Sequence, residues 1–380
     1  MGGAPNNNSN NNNNNNSNIF PNRIIKRVDK SSSSYIITTM QSLSQIFDLS
    51  NYFITTKILK ENNKIAGDFK EYFENLWKNN NEIFTPKDFM SKLKNINKDF
   101  TLKEELEPYK FYDFILKQLN DELNGFDPEI NNYFTNFNKK YDKFKDLKNQ
   151  FLEEFIKNNN SIISIIFYGI MEIKNDCDGC KKNETKKYEK FNIIDIDIKG
   201  FCNKEYILGN SLTNFDLKDL LNYYFDENKI EEEQIECDSC KDNKSKLVER
   251  KIIELPNYLI IRINWGNFKN KEGFNCEIDY IKPSYQYLDI NEIIEINEDY
   301  LNGISFNNDD ELIKDSVEYK LFSTIDYYKD KNIFISKYRI KEEGKRNNWY
   351  NFWCGEKGKE TTTYIDHFTV PCLLFYEMIK

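Results

Sequence analysis

The 380-residue chain lacks a long apolar run, and its longest strongly apolar stretch, residues 162–171, spans only ten positions. A membrane-spanning helix needs about 20 apolar residues, so the sequence predicts no such helix. The N-terminus offers polar asparagine where a secretory signal peptide has a charged and then an apolar segment. We therefore expect an intracellular protein, in the cytoplasm, the nucleus or both, that does not act on membranes.

A concentrated cationic face is also missing, because the lysine pairs at 139–140 and 181–182 lie among acidic residues. The 53 lysines and arginines against 62 aspartates and glutamates give a formal net charge of −9. Binding to nucleic acid needs clustered positive charge, so this function class is excluded. A basic partner surface is mildly favoured, but a merely well-solvated exterior explains the charge equally well.

Residues 1–22 are rich in asparagine and predict a disordered tail, because they offer little apolar surface to offset conformational entropy. The rest of the chain is different. Aromatic residues make up 15% of the sequence, with 29 Phe and 24 Tyr, and supply the large side chains that a core requires. Disorder throughout is therefore excluded.

Between about residues 35 and 155, apolar side chains recur every three or four positions, which predicts amphipathic helices. Ser50-Asn51 and Thr85-Pro86 indicate breaks or helix starts, and Gly125 indicates a helix end. We expect the apolar stripes to be core and not a binding groove: Met40, Leu43, Ile46 and Phe47; Phe69, Phe73, Leu76 and Trp77; Phe111, Phe114, Ile115, Leu119 and Leu123.

After about residue 160 the apolar period changes to two, which predicts strands. Residues 191–198 alternate as one half-buried strand, and the apolar, β-branched run 258–264 is typical of a central strand. Residues 319–325, 333–340 and 370–376 form further predicted strands, and a short helix is expected at 216–225. Helices followed by an antiparallel sheet indicate the α+β class.

Four of the eight cysteines form two pairs, Cys177-Asp-Gly-Cys180 and Cys237-Asp-Ser-Cys240, with 56 residues between them. Each Cys-x-x-Cys turn directs two sulfur atoms at one point, and four thiolates complete the tetrahedron that zinc prefers. Four protein ligands leave no open position, so the predicted Zn²⁺ is structural. Two reduced pairs at hairpin tips, or a redox pair, are the alternatives.

Several segments, in this order, resemble the ubiquitin-specific protease family of cysteine deubiquitinases. Ser34-Tyr-Ile-Ile-Thr-Thr-Met-Gln-Ser-Leu43 is similar to the family's box at the catalytic cysteine, and Phe111-Tyr-Asp-Phe-Ile-Leu116 to a later conserved helix. Leu255-Pro-Asn-Tyr-Leu-Ile-Ile261 resembles the strand that follows the zinc fingers. Trp349-Tyr350 and Leu373-Leu-Phe-Tyr-Glu377 resemble the closing strands.

The resemblance implies a papain-like fold over residues 23–380. Its expected parts are a helical thumb at 23–160, zinc-ribbon β fingers at 161–255 and an antiparallel β palm at 256–380. It also implies that ubiquitin is held by the fingers while its tail passes between thumb and palm.

The family's catalytic triad of Cys, His and Asp or Asn is not matched position by position. The nucleophile position carries Ser34, the base position Phe334 and the orienting position Trp353, although a small shift would place Asn351 or Asn348 there. Acyl transfer in this class needs a thiolate formed by a neighbouring imidazole, which later protonates the leaving amine. A phenyl ring can neither accept nor return a proton.

Two further features also argue against catalysis by the family's mechanism. Asp29 stands at the position of the family's oxyanion-stabilising asparagine, where a carboxylate would repel the developing charge. No cysteine precedes residue 177, and His367 is the only histidine. A relocated pair of His367 and Cys372 is disfavoured, because five residues along a strand place side chains on opposite faces.

The sequence therefore predicts a catalytically inactive member that binds ubiquitin or serves as a scaffold in a multiprotein complex. The alternative is an active or residual thiol-dependent deubiquitinase that uses unconventional residues such as Ser34 or Cys372.

Overall fold

Helices occupy the first part of the described chain, and strands occupy most of the remainder. The computed structural model describes residues 34–61, 64–78, 86–100, 105–142, 144–177, 180, 185–208, 215–226, 229–236, 240, 243–269, 273–276, 288–306, 316–340, 348–352, 360–361 and 369–379. The expected tail at 1–22, as well as Asp29, Cys237, Trp353 and His367, lie outside these residues.

The predicted helical region is confirmed. Most of the apolar stripe residues are buried, with Phe47, which is 38% exposed, as the clearest exception. Among the described residues no helix is both long and apolar enough to cross a membrane. The helices are α1 Ser34–Ser44, α2 Phe47–Thr55, α3 Ala66–Lys78, α4 Lys87–Ile96, α5 Pro108–Leu123, α6 Pro128–Lys140, α7 Lys145–Leu147, a π-helical stretch Lys148–Leu152, α8 Glu153–Asn158 and α9 Ile162–Phe167.

The ends of these helices follow local chemistry, with one correction. Gly125 follows the end of α5 with φ of +68°, the left-handed conformation that glycine adopts at little cost. The break expected at Ser50 is wrong, because Ser50 lies within α2. Its hydroxyl donates to the Ser44 carbonyl at 2.9 Å and so satisfies the end of α1.

Helix α1 lies at the centre of the molecule, and every one of its residues is buried. Its threonines satisfy their hydroxyl groups on the helix's own backbone: Thr38 donates to the Ser34 carbonyl at 2.8 Å and Thr39 to the Tyr35 carbonyl at 2.7 Å. These bonds let polar side chains be buried without leaving unpaired donors. On its sheet-facing side, Ser42 bonds to Ser323 at 3.0 Å.

Strands and two more helices make up the second part of the chain. In chain order they are β1 Gly169–Cys177, β2 Thr185–Phe191, β3 Ile194–Asp197, α10 Ile198–Ile207, β4 Phe215–Asp216, α11 Leu217–Phe225, β5 Lys229–Glu236, β6 Asn243–Glu254, β7 Tyr258–Asn264, β8 Gly266–Lys269, β9 Gly273–Cys276, β10 Leu288–Asp289, β11 Ile293–Asn297, β12 Leu301–Phe306, β13 Ser316–Tyr328, a 3₁₀ turn Lys329–Lys331, β14 Ile333–Ile340, β15 Asn348–Phe352, β16 Glu360–Thr361 and β17 Thr369–Met378.

Two sheets dominate the described strands. The eight-stranded sheet has the order β16-β15-β14-β13-β17-β7-β3, with β11 also paired to β13. The five-stranded sheet has the order β12-β6-β1-β2, with β5 also paired to β6. Two short ribbons, β4 with β10 and β8 with β9, complete the pairing. The α+β class is confirmed.

Two details of the strand prediction need correction. The alternating residues 191–198 are not one strand, since β2 ends at Phe191, β3 starts at Ile194 and α10 starts at Ile198. The chain turns at Asn192, whose carbonyl accepts from the Tyr112 hydroxyl at 3.0 Å. The sheets are also not purely antiparallel, because β3 pairs with β7, β4 with β10 and β6 with β12 in parallel. Strands β7 and β14 have the predicted bounds, and β7 is an interior strand between β17 and the edge strand β3.

Candidate functional site

The N-terminus of α1 meets strand β14 at the centre of the molecule. The backbone N–H of Phe334 donates to the Ser34 hydroxyl at 2.8 Å, and both residues are fully buried. The fold therefore brings together the two positions that the sequence resemblance assigns to a nucleophile and a base. The contact itself joins a hydroxyl to a backbone N–H, and the side chain at position 334 is a phenyl ring.

A tight hairpin positions Phe334. Strands β13 and β14 pair Tyr327 with Phe334, and their connection includes Asn332 in the left-handed conformation, with φ of +52°. The Asn332 side chain accepts from the Tyr327 hydroxyl at 2.5 Å. The Phe334 ring packs on the Tyr327 ring with their centroids 5.4 Å apart. Aromatic packing thus fixes the side chain at position 334.

Glu105 occupies the positive end of helix α1. Its Oε1 accepts from the Ser34 backbone N–H at 3.0 Å, and its Oε2 accepts from the Tyr35 N–H at 3.3 Å. A helix N-terminus favours anions, since its first N–H groups have no partner within the helix. The buried carboxylate of Glu105 supplies that anion from 71 residues away. Sequence reasoning missed Glu105, because no local motif marks so distant a partner.

The other expected catalytic positions are less fully described. Trp353, Asp29 and His367 lie outside the described residues. Of the two asparagines near the orienting position, Asn351 lies opposite Lys337 on β14, and Asn348 lies opposite Ile340. Neither asparagine is directly opposite Phe334.

Cys372 lies on strand β17 and is buried. Its thiol donates to the Val370 carbonyl at 3.4 Å. Burial, together with the carboxylates of Glu107 and Asp326, raises the pKa of the Cys372 thiol well above its usual value. The thiol therefore stays protonated at neutral pH, and a protonated thiol is a poor nucleophile.

Three cysteines converge at one end of the five-stranded sheet. The sulfur atoms of Cys177, Cys180 and Cys240 lie within 4.8 Å of one another. The Sγ atoms of Cys177 and Cys240 are 3.8 Å apart. This separation excludes a disulfide, whose sulfur atoms are about 2.05 Å apart. It matches the edge of a tetrahedron with Zn–S bonds of about 2.3 Å, which is about 3.8 Å.

Sheet pairing explains why the cysteine pairs meet. Cys177 ends strand β1, and Cys180 follows in the connection to β2. Cys240 lies in the connection between β5 and β6. Because β1 and β6 are neighbours, the two connections lie side by side. The three described cysteines fit a metal site, and Cys237, the fourth predicted ligand, lies outside the described residues.

Residues 27–376 match the family described as ubiquitin carboxyl-terminal hydrolase. The chain belongs to this family. Its structure is similar to a chain of the SAGA Ubp8/Sgf11/Sus1/Sgf73 DUB module bound to ubiquitin aldehyde, with a TM-score of 0.62. Sequence identity is 14%, and the match covers 94% of this chain and 69% of the other.

A second similar structure is a chain of the yeast SAGA DUB module with a variant of Sgf73. The TM-score is 0.61 at 13% identity, and the match covers 94% of this chain and 68% of that one. At these identities the likeness shows the fold. The ubiquitin-specific-protease fold inferred from the sequence is therefore confirmed.

In this ubiquitin carboxyl-terminal hydrolase family member, a charged cluster lies where α5 begins. Arg262 on β7 binds both carboxylate oxygens of Glu107, through Nε at 2.7 Å and Nη2 at 2.8 Å. Its Nη1 binds Asp195 at 2.7 Å, and its guanidinium lies 4.4 Å from the ring centroid of Tyr109. The cluster joins the helices to the eight-stranded sheet. Its members are too far apart in sequence to form a motif.

Proposed function

We propose that this member of the ubiquitin carboxyl-terminal hydrolase family is catalytically silent and acts by binding ubiquitin or as a scaffold in a multiprotein complex. The contact between Ser34 and Phe334 carries the proposal. These residues hold the places of nucleophile and base in the family resemblance. We also propose that Trp353 replaces the family's orienting residue and that Asp29 replaces its oxyanion-stabilising asparagine.

The chemistry of the pair supports inactivity. Attack by the Ser34 hydroxyl on a carbonyl carbon requires a base that accepts its proton and returns it to the leaving amine. The Phe334 side chain has no atom that can do either. Its backbone N–H donates to the Ser34 oxygen, which draws electron density away from the attacking atom. Loss of triad members typically lowers rates by factors of roughly 10⁴–10⁶.

Glu105 supports the same conclusion from the other side of the reaction. A tetrahedral intermediate would carry negative charge, and N–H groups at the start of α1 are natural donors to it. The N–H groups of Ser34 and Tyr35 already bind a carboxylate. An oxyanion at this place would have to displace a buried negative charge.

The same proposal assigns structural Zn²⁺ to the cysteine cluster. Cys177, Cys180 and Cys240 would supply three thiolates, with Cys237 as the fourth ligand. Such an ion would hold the ends of β1, β5 and β6 together and would supply no reactive coordination position. The expected division into thumb, fingers and palm remains a prediction.

Family membership and fold support a binding function. A similar structure is a DUB module bound to ubiquitin aldehyde and built from several subunits, and both kinds of partner suit this proposal. Because function depends on the site and not on the fold, the partner must be found by experiment. The alternative function is the family's own activity, in a deubiquitinase that uses Ser34 or Cys372.

Two measurements with purified protein test the proposal. Ubiquitin carrying a cysteine-reactive C-terminus should leave every cysteine unlabelled, and hydrolysis of a fluorogenic ubiquitin substrate should equal that of a Ser34→Ala variant. Labelling at Cys372, or turnover that Ser34→Ala or Cys372→Ser abolishes, would establish the enzyme instead. Titration with labelled ubiquitin then separates the two binding roles: saturation indicates ubiquitin binding, and an unchanged signal up to millimolar ubiquitin indicates the scaffold.

A further inference from the structure

Four side chains form a row across one end of the eight-stranded sheet. Ile293 on β11 lies opposite Lys320 on β13, Lys320 lies opposite Glu377 on β17, and Glu377 lies opposite Tyr258 on β7. Directly opposite residues in antiparallel strands share a face, so all four project from the same side. Ile293 is 48% exposed, although it lies in a sheet.

A second row beside the first contains an unfavourable pair. Glu295 and Glu318 lie directly opposite each other on β11 and β13, and both are exposed. Like charges placed so closely across a strand pair are destabilising. Neither carboxylate has an ion-pair partner among the residues described here. Ile379, which is 40% exposed, lies next to the pair, since its N–H donates to the Glu318 carbonyl at 2.8 Å.

The first row leads into a pocket of about 440 Å³ between the sheet and helix α2. Two carboxylates line it, from Asp48 and Glu377. The Tyr258 hydroxyl lies between them, 3.4 Å from Asp48 and 3.3 Å from Glu377. Burial and both carboxylates raise the pKa of Tyr258, so its hydroxyl stays a donor. The carboxylates thus remain the pocket's charged groups, opposed by Lys320.

This surface, which we call the acidic end, is separate from the Ser34–Phe334 contact. Phe334 pairs with Tyr327, which lies seven residues along β13 from Lys320. Seven strand residues span about 23 Å at about 3.3 Å each. The acidic end therefore belongs to a different region of the fold from the degenerate catalytic positions.

We propose that the acidic end docks a basic segment of a partner protein, in which lysine or arginine side chains alternate with apolar ones. Among the described residues of this surface, the carboxylates of Asp48, Glu295, Glu318 and Glu377 outnumber the Lys320 ammonium group, and such an excess of negative charge selects positive charge. Ile293 and Ile379, exposed beside the carboxylates, offer contacts to the apolar side chains of the segment. A bound cation between Glu295 and Glu318 would also relieve their repulsion.

The inference rests on the scaffold part of the proposed function, and it specifies the chemistry of one partner. It also predicts that one substitution changes stability and binding in opposite directions. Neutralising the acidic pair should make the free protein more stable, because repulsion is removed. The same change should weaken the binding of a basic segment. A residue retained only for folding would not produce this combination.

The test measures fluorescence anisotropy of a labelled ten-residue peptide of alternating lysine and valine, added to the full chain. We expect saturable binding that weakens at least fivefold in the Glu295→Gln/Glu318→Gln variant and with rising salt. The matched control is Glu153→Gln/Glu154→Gln, which neutralises two exposed acids on α8 and should leave binding unchanged. A peptide with glutamate in place of lysine should not bind.

Equal peptide binding by the wild type and both variants would overturn the inference, as would the absence of saturable binding. Thermal unfolding should show a higher midpoint for Glu295→Gln/Glu318→Gln, which establishes that lost binding is not lost folding. Ubiquitin titrations of the same proteins keep the two proposals apart, because normal ubiquitin binding without peptide binding overturns the acidic end alone. Concentration-dependent dimers that this variant abolishes would assign the surface to a second copy and overturn the proposed partner.

Discussion

Ser34 and Phe334 are joined by one hydrogen bond, from the backbone N–H of Phe334 to the hydroxyl of Ser34, although 300 residues separate them in the chain. The bond anchors the start of α1 on the hairpin of β13 and β14. It places the backbone of residue 334 beside the side chain of residue 34. A histidine at position 334 would therefore extend from backbone that already lies beside residue 34.

This adjacency can be tested by installing the missing groups. We expect the Ser34→Cys/Phe334→His variant to react with ubiquitin carrying a cysteine-reactive C-terminus at least tenfold faster than Ser34→Cys alone. The neighbouring imidazole would lower the pKa of the introduced thiol and raise its thiolate fraction. The measurement is the labelling rate followed by mass spectrometry. Equal rates for the two variants would contradict the proposed correspondence of positions.

Removing the Glu105 carboxylate should destabilise the fold. Glu105→Ala leaves two buried N–H groups at the start of α1 without their acceptor, and we expect a loss of about 2–3 kcal/mol in the free energy of unfolding. Glu105→Gln keeps one acceptor oxygen and should lose less. Urea denaturation measures both. The exposed Glu153→Ala serves as the control, and a loss as small as its own would refute the capping role.

The zinc site predicts a metal content of about one Zn²⁺ per chain. Cys177→Ser and Cys240→Ser should each lower that content and the thermal midpoint, because the ends of three strands lose the ion that joins them. The measurement is elemental analysis of the purified protein combined with thermal unfolding. Cys202→Ser is the control for metal content, since Cys202 is buried in the core and is not one of the clustered cysteines. Well-folded protein without metal would disprove the site.

The raised pKa of Cys372 predicts low reactivity across neutral pH. A thiol whose pKa is raised is protonated at pH values where a free cysteine already forms thiolate, and only the thiolate is alkylated. Between pH 7 and 9, iodoacetamide should therefore leave Cys372 unmodified in the folded protein and modify it after denaturation. Peptide mass spectrometry reports the modified fraction. Rapid modification of the native protein at pH 7 would point to an activated thiol.

Arg262 should contribute far more to stability than an exposed ion pair does. Removing it leaves the buried Glu107 carboxylate without its two bonds, so Arg262→Met should cost about 3–5 kcal/mol. Arg262→Lys should recover only part of this loss, because lysine cannot make the bidentate contact. The control is Lys187→Met, which breaks the exposed pair with Glu189 and should cost less than about 1 kcal/mol. Equal losses in chemical denaturation would contradict this account.

Local patterns in the sequence were enough to identify many of the elements. The apolar, β-branched run at 258–264 and the strand pattern at 333–340 predicted strands with the bounds of β7 and β14, since residue preference is a local property. The same logic failed at residues 191–198, where a continuous alternation hides a turn. The hydrogen bond from Tyr112 to the Asn192 carbonyl joins residues 80 positions apart, so no local pattern predicts it.

By itself, the sequence determined which groups are available: no cysteine before residue 177, a single histidine, two Cys-x-x-Cys pairs and a succession of helical and strand periods. These follow from residue identity and nearest-neighbour spacing. Only the tertiary structure decided which groups meet, including Glu105 with the start of α1 and Glu295 with Glu318. These tertiary contacts depend on strand register and helix packing. Both are set by many weak interactions along the whole chain, so no single segment predicts them.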